Sequence, residues 1–299
     1  MPRTSSPSQG ADFRLPVRFR FTLRRLLFWM AGWGVVFASI AYLANLVTDA
    51  RRHAIASVSQ GSLNQLTLAL HNYHDTFGSF PPAYVADAAG RPIHSWRVLI
   101  LPYIEQTNLW DGAGQTTVAN KQIAVIGALI SGYFCPSRRS PEAFTAASWY
   151  GPSGTYAHGQ IDYAGSNLSN NGAIVQANHS DINQRTRAIG FQTITDGTSN
   201  TLLVGEKRLN FLLLGNFQGD DNEGYSSGWD HDVMRYTDRA PLPDTRSGDG
   251  NQRFGASHPG TFNVVLVDGS VRNLPYTIDA AVFRNIGQRD DGNPVVFPN

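Results

Sequence analysis

The chain of 299 residues contains a single cysteine, Cys135. An internal disulfide is excluded, cysteine usage identifies no redox compartment, and Cys135 reads as a small buried residue rather than a catalytic thiol. Charge is also scarce, with Asp, Glu, Lys and Arg at 16% against a usual share of roughly 25%. What basic charge there is gathers at one end. Arg3, Arg14, Arg18, Arg20, Arg24, Arg25, Arg51 and Arg52 are 8 of the 24 basic residues, accompanied only by Asp12 and Asp49. Residues 53–299 keep 16 basic and 21 acidic side chains, a net of −5. Without a basic face to meet phosphates, nucleic acid is excluded as a partner. Glycine (29) and proline (16) are plentiful, which favours a loop-rich fold with β structure over a helical bundle.

A long apolar run is present. Leu26 to Val47 gives 22 residues without a charge, LLFWMAGWGVVFASIAYLANLV. As a helix it spans ~33 Å, enough for a hydrocarbon core of about 30 Å. Six arginines precede it and two follow, so the positive-inside rule places the N-terminus in the cytoplasm and the body outside. A buried core helix would not carry this arginine cluster. A cleaved signal would have a shorter apolar core and a small-residue cleavage site, which Tyr42-Leu43-Ala44-Asn45 matches poorly. An uncleaved signal anchor is the better reading.

Helical spacing continues after Arg52. Ile55, Val58, Leu66, Leu70, Tyr73 and Phe77 fall on one stripe, softened at Gly61-Ser62 and stopped by Gly78 and Pro81-Pro82. Short apolar runs then suggest strands at Trp96–Tyr103, Ile123–Phe134, Thr201–Val204 and Leu212–Leu214. The clearest is Phe262–Val267, followed by Asp268-Gly269, a two-residue hairpin signal. Residues 148–190 and 216–256 read as long decorated loops, a length that usually accompanies function.

Several polar residues invite chemistry. His258 and Asp268 could form an acid–base or metal pair. An intervening strand would put them about 30 Å apart unless the chain folds back at Pro259-Gly260, so the structural reading gives Asp268 to the turn and His258 to a hydrogen bond before the strand. His71 and His74, with Asp75, have a spacing that can present ligands to one metal. His-Glu-x-x-His is missing, and a histidine packed at a sheet edge is the plainer account. Asp220, Asp221, Glu223, Asp230 and Asp232 crowd the run GDDNEGYSSGWDHD. Calcium is one reading, but without EF-hand spacing a solvated acidic loop is preferred. Asp196-Gly197-Thr198-Ser199-Asn200 suggests caps or Asx-turns, and Glu206 has no assigned place. No catalytic residue, cofactor site or metal ligand is assigned.

The stretches LNQLTLALHNYHDTFGSFPPAY, SWRVLILPYIEQTNLW, FCPS, DYAG, ITDGTSNTLLVGE and RFGASHPGTFNVVLVDGSVR resemble one family. It is the prepilin-like family DUF1559, expanded in planctomycete bacteria, whose members end in a His, nine residues, Asp-Gly signature. The matching signature positions are His258, Asp268 and Gly269, and further matching positions are His71, Asn72, His74, Asp196, Gly197, Ser199, Asn200 and Glu206. The resemblance implies an α+β, pilin-like fold: a long N-terminal helix on an antiparallel sheet with added β-rich loops. It divides the chain into a basic cytoplasmic N-terminus (1–25), a transmembrane helix (26–47) and an extracytoplasmic domain (48–299), with the signature region at 253–299. The expected protein is a non-enzymatic pilin- or pseudopilin-like structural or interaction protein. It would cross the cytoplasmic membrane once through 26–47, face the periplasm or exterior and meet other envelope proteins. The alternative is a solute- or polysaccharide-binding module using Trp149, Tyr150, Tyr225 and Trp229, and a third reading is a hydrolase built on Asp196, Ser199 or His258.

The beginning departs from the family. Prepilin-type members carry Gly-Phe-Thr-Leu-Val-Glu, whereas this chain has Arg20-Phe21-Thr22-Leu23-Arg24-Arg25. Arginine replaces both the glycine before the cut and the glutamate thought to pair with a neighbour's amino terminus. Sequencing of the mature N-terminus should therefore find a start at residue 1 or 2. A methylated Phe21 would show processing despite Arg20.

Overall fold

The computed structural model describes residues 22–86, 92–148, 152–167, 169–175, 189–226, 230–293, 295 and 297. The chain divides into two units, Met1–Arg51 and Arg52–Asn299. One helix, α1, runs unbroken from Leu23 to Phe77. In the first unit, Leu23–Arg51 is a 29-residue stretch of mean hydropathy 1.8, long and apolar enough to cross a membrane. None of its most apolar window is buried in the protein, and Phe28, Trp29, Phe37 and Tyr42 are all exposed. A core helix would be covered, so that reading fails.

The second unit begins with the rest of α1. Gly61 lies within the helix without a break, because the turns around it keep their backbone bonds. The helix stops where Gly78 adopts φ +73° and its N–H donates to the His74 carbonyl, a left-handed cap that glycine takes without a Cβ penalty. The stripe is shifted from the expected one. Ser59, Leu63, Leu66, Thr67, Ala69 and Leu70 are buried, whereas Val58 and Phe77 are 57% and 45% exposed. The side chain of Ile55 lies outside the described residues.

Beyond α1 come strands β1 (Tyr84–Ala86) and β2 (Pro92–Ser95), and short helices α2 (Trp96–Leu99), α3 (Thr107–Trp110) and α4 (Val118–Ile126). Strands β3 (Ala143–Ala147), β4 (Thr155–Gly159), β5 (Tyr163–Ser166), β6 (Leu202–Glu206), β7 (Met234–Arg235), β8 (Thr261–Leu266) and β9 (Val271–Pro275) follow, then α5 (Ala280–Ile286). β1–β2 and β3–β4 are separate antiparallel pairs; the main sheet has the order β7-β5-β6-β8-β9. Its pairings are antiparallel except β5 with β7. The fold is α+β.

β8 shows how the sheet is covered. Val265 and the following Val267 join Leu63, Leu66 and Leu70 of α1 in one core, while Phe262, Val264 and Leu266 join Phe254 and Phe283 in another. Alternate side chains point to opposite faces and both faces are apolar, which is why FNVVLV is a continuous run.

Several expectations from the sequence fail. Trp96–Tyr103 forms α2 and a 3-10 turn at Leu101–Ile104; its side chains from Trp96 to Leu101 are buried all round, and a continuous apolar run cannot distinguish that from a strand. Ile123–Phe134 holds the end of α4 and a 3-10 turn at Ser131–Tyr133 rather than a strand, α4 being capped where Thr117 Oγ1 accepts from Asn120 N. Leu212–Leu214 is a turn, with Leu213 N–H on the Asn210 carbonyl. The supposed long loops contain β4, β5 and β7. β5 is Tyr-Ala-Gly-Ser, and Ala and Gly give little local strand signal. The Asp-Gly hairpin is real, but Asp268 does not take positive φ. Gly269 alone does (φ 89°), and Gly269 N and Leu266 N close on Leu266 O and Ser270 O. This is a three-residue loop with glycine at its bulge.

Leu70→Ala should lower the stability of the folded body by about 2–5 kcal/mol, whereas Val58→Ala should stay within about 0.5 kcal/mol. Chemical denaturation of the full-length protein in detergent checks the pair; equal effects would mean that α1 does not dock through this stripe.

Candidate functional site

Two residues that the sequence left without a common role meet in the interior. Glu206 closes β6 and is fully buried; His258 precedes β8 and is 9% exposed. His258 Nε2 lies 3.0 Å from Glu206 Oε1. Ser59 of α1 donates to the same oxygen at 2.6 Å, and Asn263 N of β8 donates to Oε2 at 2.7 Å. Cys135 completes the group, its Sγ 3.3 Å from Glu206 Oε1 and 3.9 Å from His258 Nε2. Tyr163 OH and Ser59 Oγ are 3.2 Å apart at the edge of this cluster.

The electrostatics follow from these contacts. Burial alone would raise the Glu206 carboxyl, but the hydrogen bond and charge of His258, then Ser59 and Asn263 N–H, hold it below its usual range. Burial would lower His258, yet Cys135 and Glu206 push it up to about 10. Both directions favour an imidazolium–carboxylate pair.

A second polar cluster adjoins it through Cys135 N–H, which donates to Asp162 Oδ2 at 2.7 Å. Asp162 pairs with Arg138 at 3.1 Å and Arg139 at 2.8 Å. Arg138 also reaches Asp244, Arg139 and Lys207 share Asp221, and Arg235 pairs with Asp220. The acidic run is therefore not a solvated loop: Asp220, Asp221, Glu223 and Asp232 are buried. Its cations, Arg139, Lys207 and Arg235, all come from outside the run, Arg139 from 82 positions before Asp221, so a count of charges within the run could not reveal the pairing.

The remaining candidates have structural places. His71 Nε2 bonds the Val267 carbonyl at 2.8 Å, and the His74 ring packs 4.3 Å from Phe191 and 5.1 Å from Phe80, centre to centre. Asn72 is half-buried, with its carbonyl accepting from Thr76 Oγ1. A Cβ on Gly269 would stand 3.4 Å from His71 Cε1, so the signature turn lies directly against α1. Asp268 Oδ1 accepts from Ser270 N and Oγ, and Asp268 N–H donates to the Thr198 carbonyl.

Asp196 receives the backbone N–H groups of Asp291 and Gly292. Gly197 takes φ 100°, Asn200 Nδ2 donates to the Asp196 carbonyl, and Ser199 is exposed. None of the hydrogen bonds described for Asp196 and His258 joins the hydrolase grouping of Asp196, Ser199 and His258. His258 and Asp268 sit before and after β8, as separate elements of structure.

Sequence reasoning missed Cys135, Ser59 and Asn263. Cys135 and Glu206 are 71 positions apart, Glu206 and His258 are 52, so no local spacing connects them. The available signal was that FCPS, VGE and ASHPG each put one ligating side chain beside an apolar run.

Fold and site together define an α+β protein with an N-terminal apolar helix and a buried thiol–imidazole–carboxylate centre. The chain belongs to a family described as "Protein of unknown function (DUF1559)", whose model matches residues 49–281. No curated protein and no solved structure matches it.

Asp221 carries a prediction on acid stability. Burial would raise its carboxyl, but Arg139 and Lys207 outweigh that and hold it well below the usual value of about 3.9. Its folded pKa is depressed, so its stabilisation is complete above about pH 5 and is lost as pH falls through the folded value. Asp221→Asn should destabilise by about 3–5 kcal/mol at neutral pH and flatten the acid limb below about pH 4. Denaturation midpoints across pH measure both; an unchanged acid limb would remove Asp221 from the account.

Proposed function

We propose that the protein is a single-pass, membrane-anchored, outward-facing pilin-like protein with a structural or interaction role. It works without catalysis and is not processed as a prepilin. The observation that carries this reading is the 29-residue apolar stretch Leu23–Arg51, whose most apolar window is uncovered among the described residues. A helix apolar on all sides and not covered by protein is suited to lipid. The excess of arginine before the stretch supports an N-terminus in the cytoplasm and a body in the periplasm or outside.

Arg20 and Arg25 support retention of the whole anchor, because both positions on which prepilin processing and assembly depend carry the wrong chemistry. The proposed partners are the membrane and other envelope proteins. The binding-module alternative draws no support from Tyr225, which is buried with its hydroxyl on the Val125 carbonyl. Trp149, Tyr150 and Trp229 lie outside the described residues.

Protease added to spheroplasts should digest the body while an epitope fused ahead of Arg3 stays protected. Fractionation should leave the intact chain in the membrane pellet until detergent is added. A soluble, protease-protected body would overturn the topology.

A further inference from the structure

The buried centre has the geometry of a ligand set rather than of a catalytic triad. In a nucleophilic triad, carboxylate and nucleophile occupy opposite nitrogens of the imidazole. Here Glu206 Oε1 and Cys135 Sγ both approach His258 Nε2, at 3.0 and 3.9 Å, and stand 3.3 Å from each other. A circle through three atoms so spaced has a radius of about 2.0 Å, matching zinc–nitrogen and zinc–oxygen bonds of about 2.0–2.2 Å. A cation slightly out of that plane also reaches the zinc–sulfur length of about 2.3 Å.

The surroundings hold each ligand in place. Glu206 Oε2 takes Asn263 N–H, leaving Oε1 for the centre. The backbone of Cys135 is fixed by Asp162, itself clamped between Arg138 and Arg139. The His258 carbonyl accepts from Tyr276 OH at 3.3 Å. Ser59 Oγ lies 2.6 Å from Oε1 and 3.5 Å from Sγ, at the border of the ligand triangle. Outer contacts of this kind orient ligands and tune affinity.

We propose that Cys135, Glu206 and His258 bind one divalent transition-metal ion of the zinc type, with the fourth position beside Ser59. A thiolate, an imidazole and a carboxylate together select a borderline-soft ion over magnesium or calcium. The ion would join α1, the Cys135 turn, β6 and the segment before β8, so its role is to lock the body around the helix. This site is independent of the membrane topology proposed above.

The test uses full-length protein in detergent, stripped with chelator and titrated with Co²⁺ or Zn²⁺. Wild type should bind one Co²⁺ per chain with a thiolate-to-cobalt charge-transfer band in the near ultraviolet, and Zn²⁺ should displace it and raise the Tm. Cys135→Ser should abolish the band, and His258→Gln should weaken binding by at least about 100-fold, with Ser59→Ala costing about 10–100-fold. The wild-type spectrum decides the matter even if a variant fails to fold. Binding of less than about half an equivalent overturns the proposal. So does cobalt bound without a thiolate band and unchanged in Cys135→Ser, which would assign the ion to carboxylates such as Glu223, Asp230 and Asp232.

Discussion

A carboxylate at zero exposure on the central strand of the sheet sets the terms for everything packed around it. Glu206 cannot keep its charge there unless every lone pair meets a donor, since an uncompensated buried ion costs several kcal/mol. The donors are four: Ser59 on α1, Cys135, His258 before β8 and Asn263 N–H within β8. Helix, central strand and neighbouring strand must therefore be in register together, or the charge is left exposed to an apolar interior. Apolar burial of Leu63, Leu66 and Leu70 favours docking of α1, but it is indifferent to small slides along the sheet. The Glu206 contacts are directional and remove that freedom.

The long segment between β6 and β8 obeys the same logic on a larger scale. Buried ion pairs add little over apolar substitutes of equal volume, yet breaking one strands a charge. Lys207, Arg235 and Arg139 are each nearly or wholly buried, and each finds its carboxylate on Asp220 or Asp221. With the two-residue β7 as the only strand among its described residues, this segment has few ladder bonds to define its path. The ion pairs take that role by making misplaced arrangements costly.

Local pattern in the sequence was enough for the features that depend on neighbours along the chain. The apolar run from Leu26, the helix end at Gly78, β6 and the β8–β9 hairpin could all be read from spacing and turn residues. Where apolar runs were buried on all sides, as at Trp96–Leu101, period carried no information and helical turns passed for a strand. β5 was hidden for the opposite reason: its residues are small, and Gly165 packs closely under Met234 and Ile174. The site was legible only in fragments. His258 and Glu206 stood out as polar residues in motif-like stretches, but their meeting with Cys135 is a product of sheet order, which no linear spacing encodes.

Polarity in this chain is distributed in reverse of the usual arrangement for a water-soluble domain. Apolar side chains from Leu23 to Val47 are exposed along α1, while charged ones such as Arg139, Lys207, Asp221 and Arg235 lie inside the body. Each inversion requires its own compensation. The buried charges find theirs in one another, so the body can be self-sufficient in water. The apolar half of α1 has a mean hydropathy of 1.8, and none of its most apolar window is buried among the described residues. On the reading proposed above that half of α1 lies in hydrocarbon, and its uncharged run closes at Arg51-Arg52 because a charge is costly to carry further into it.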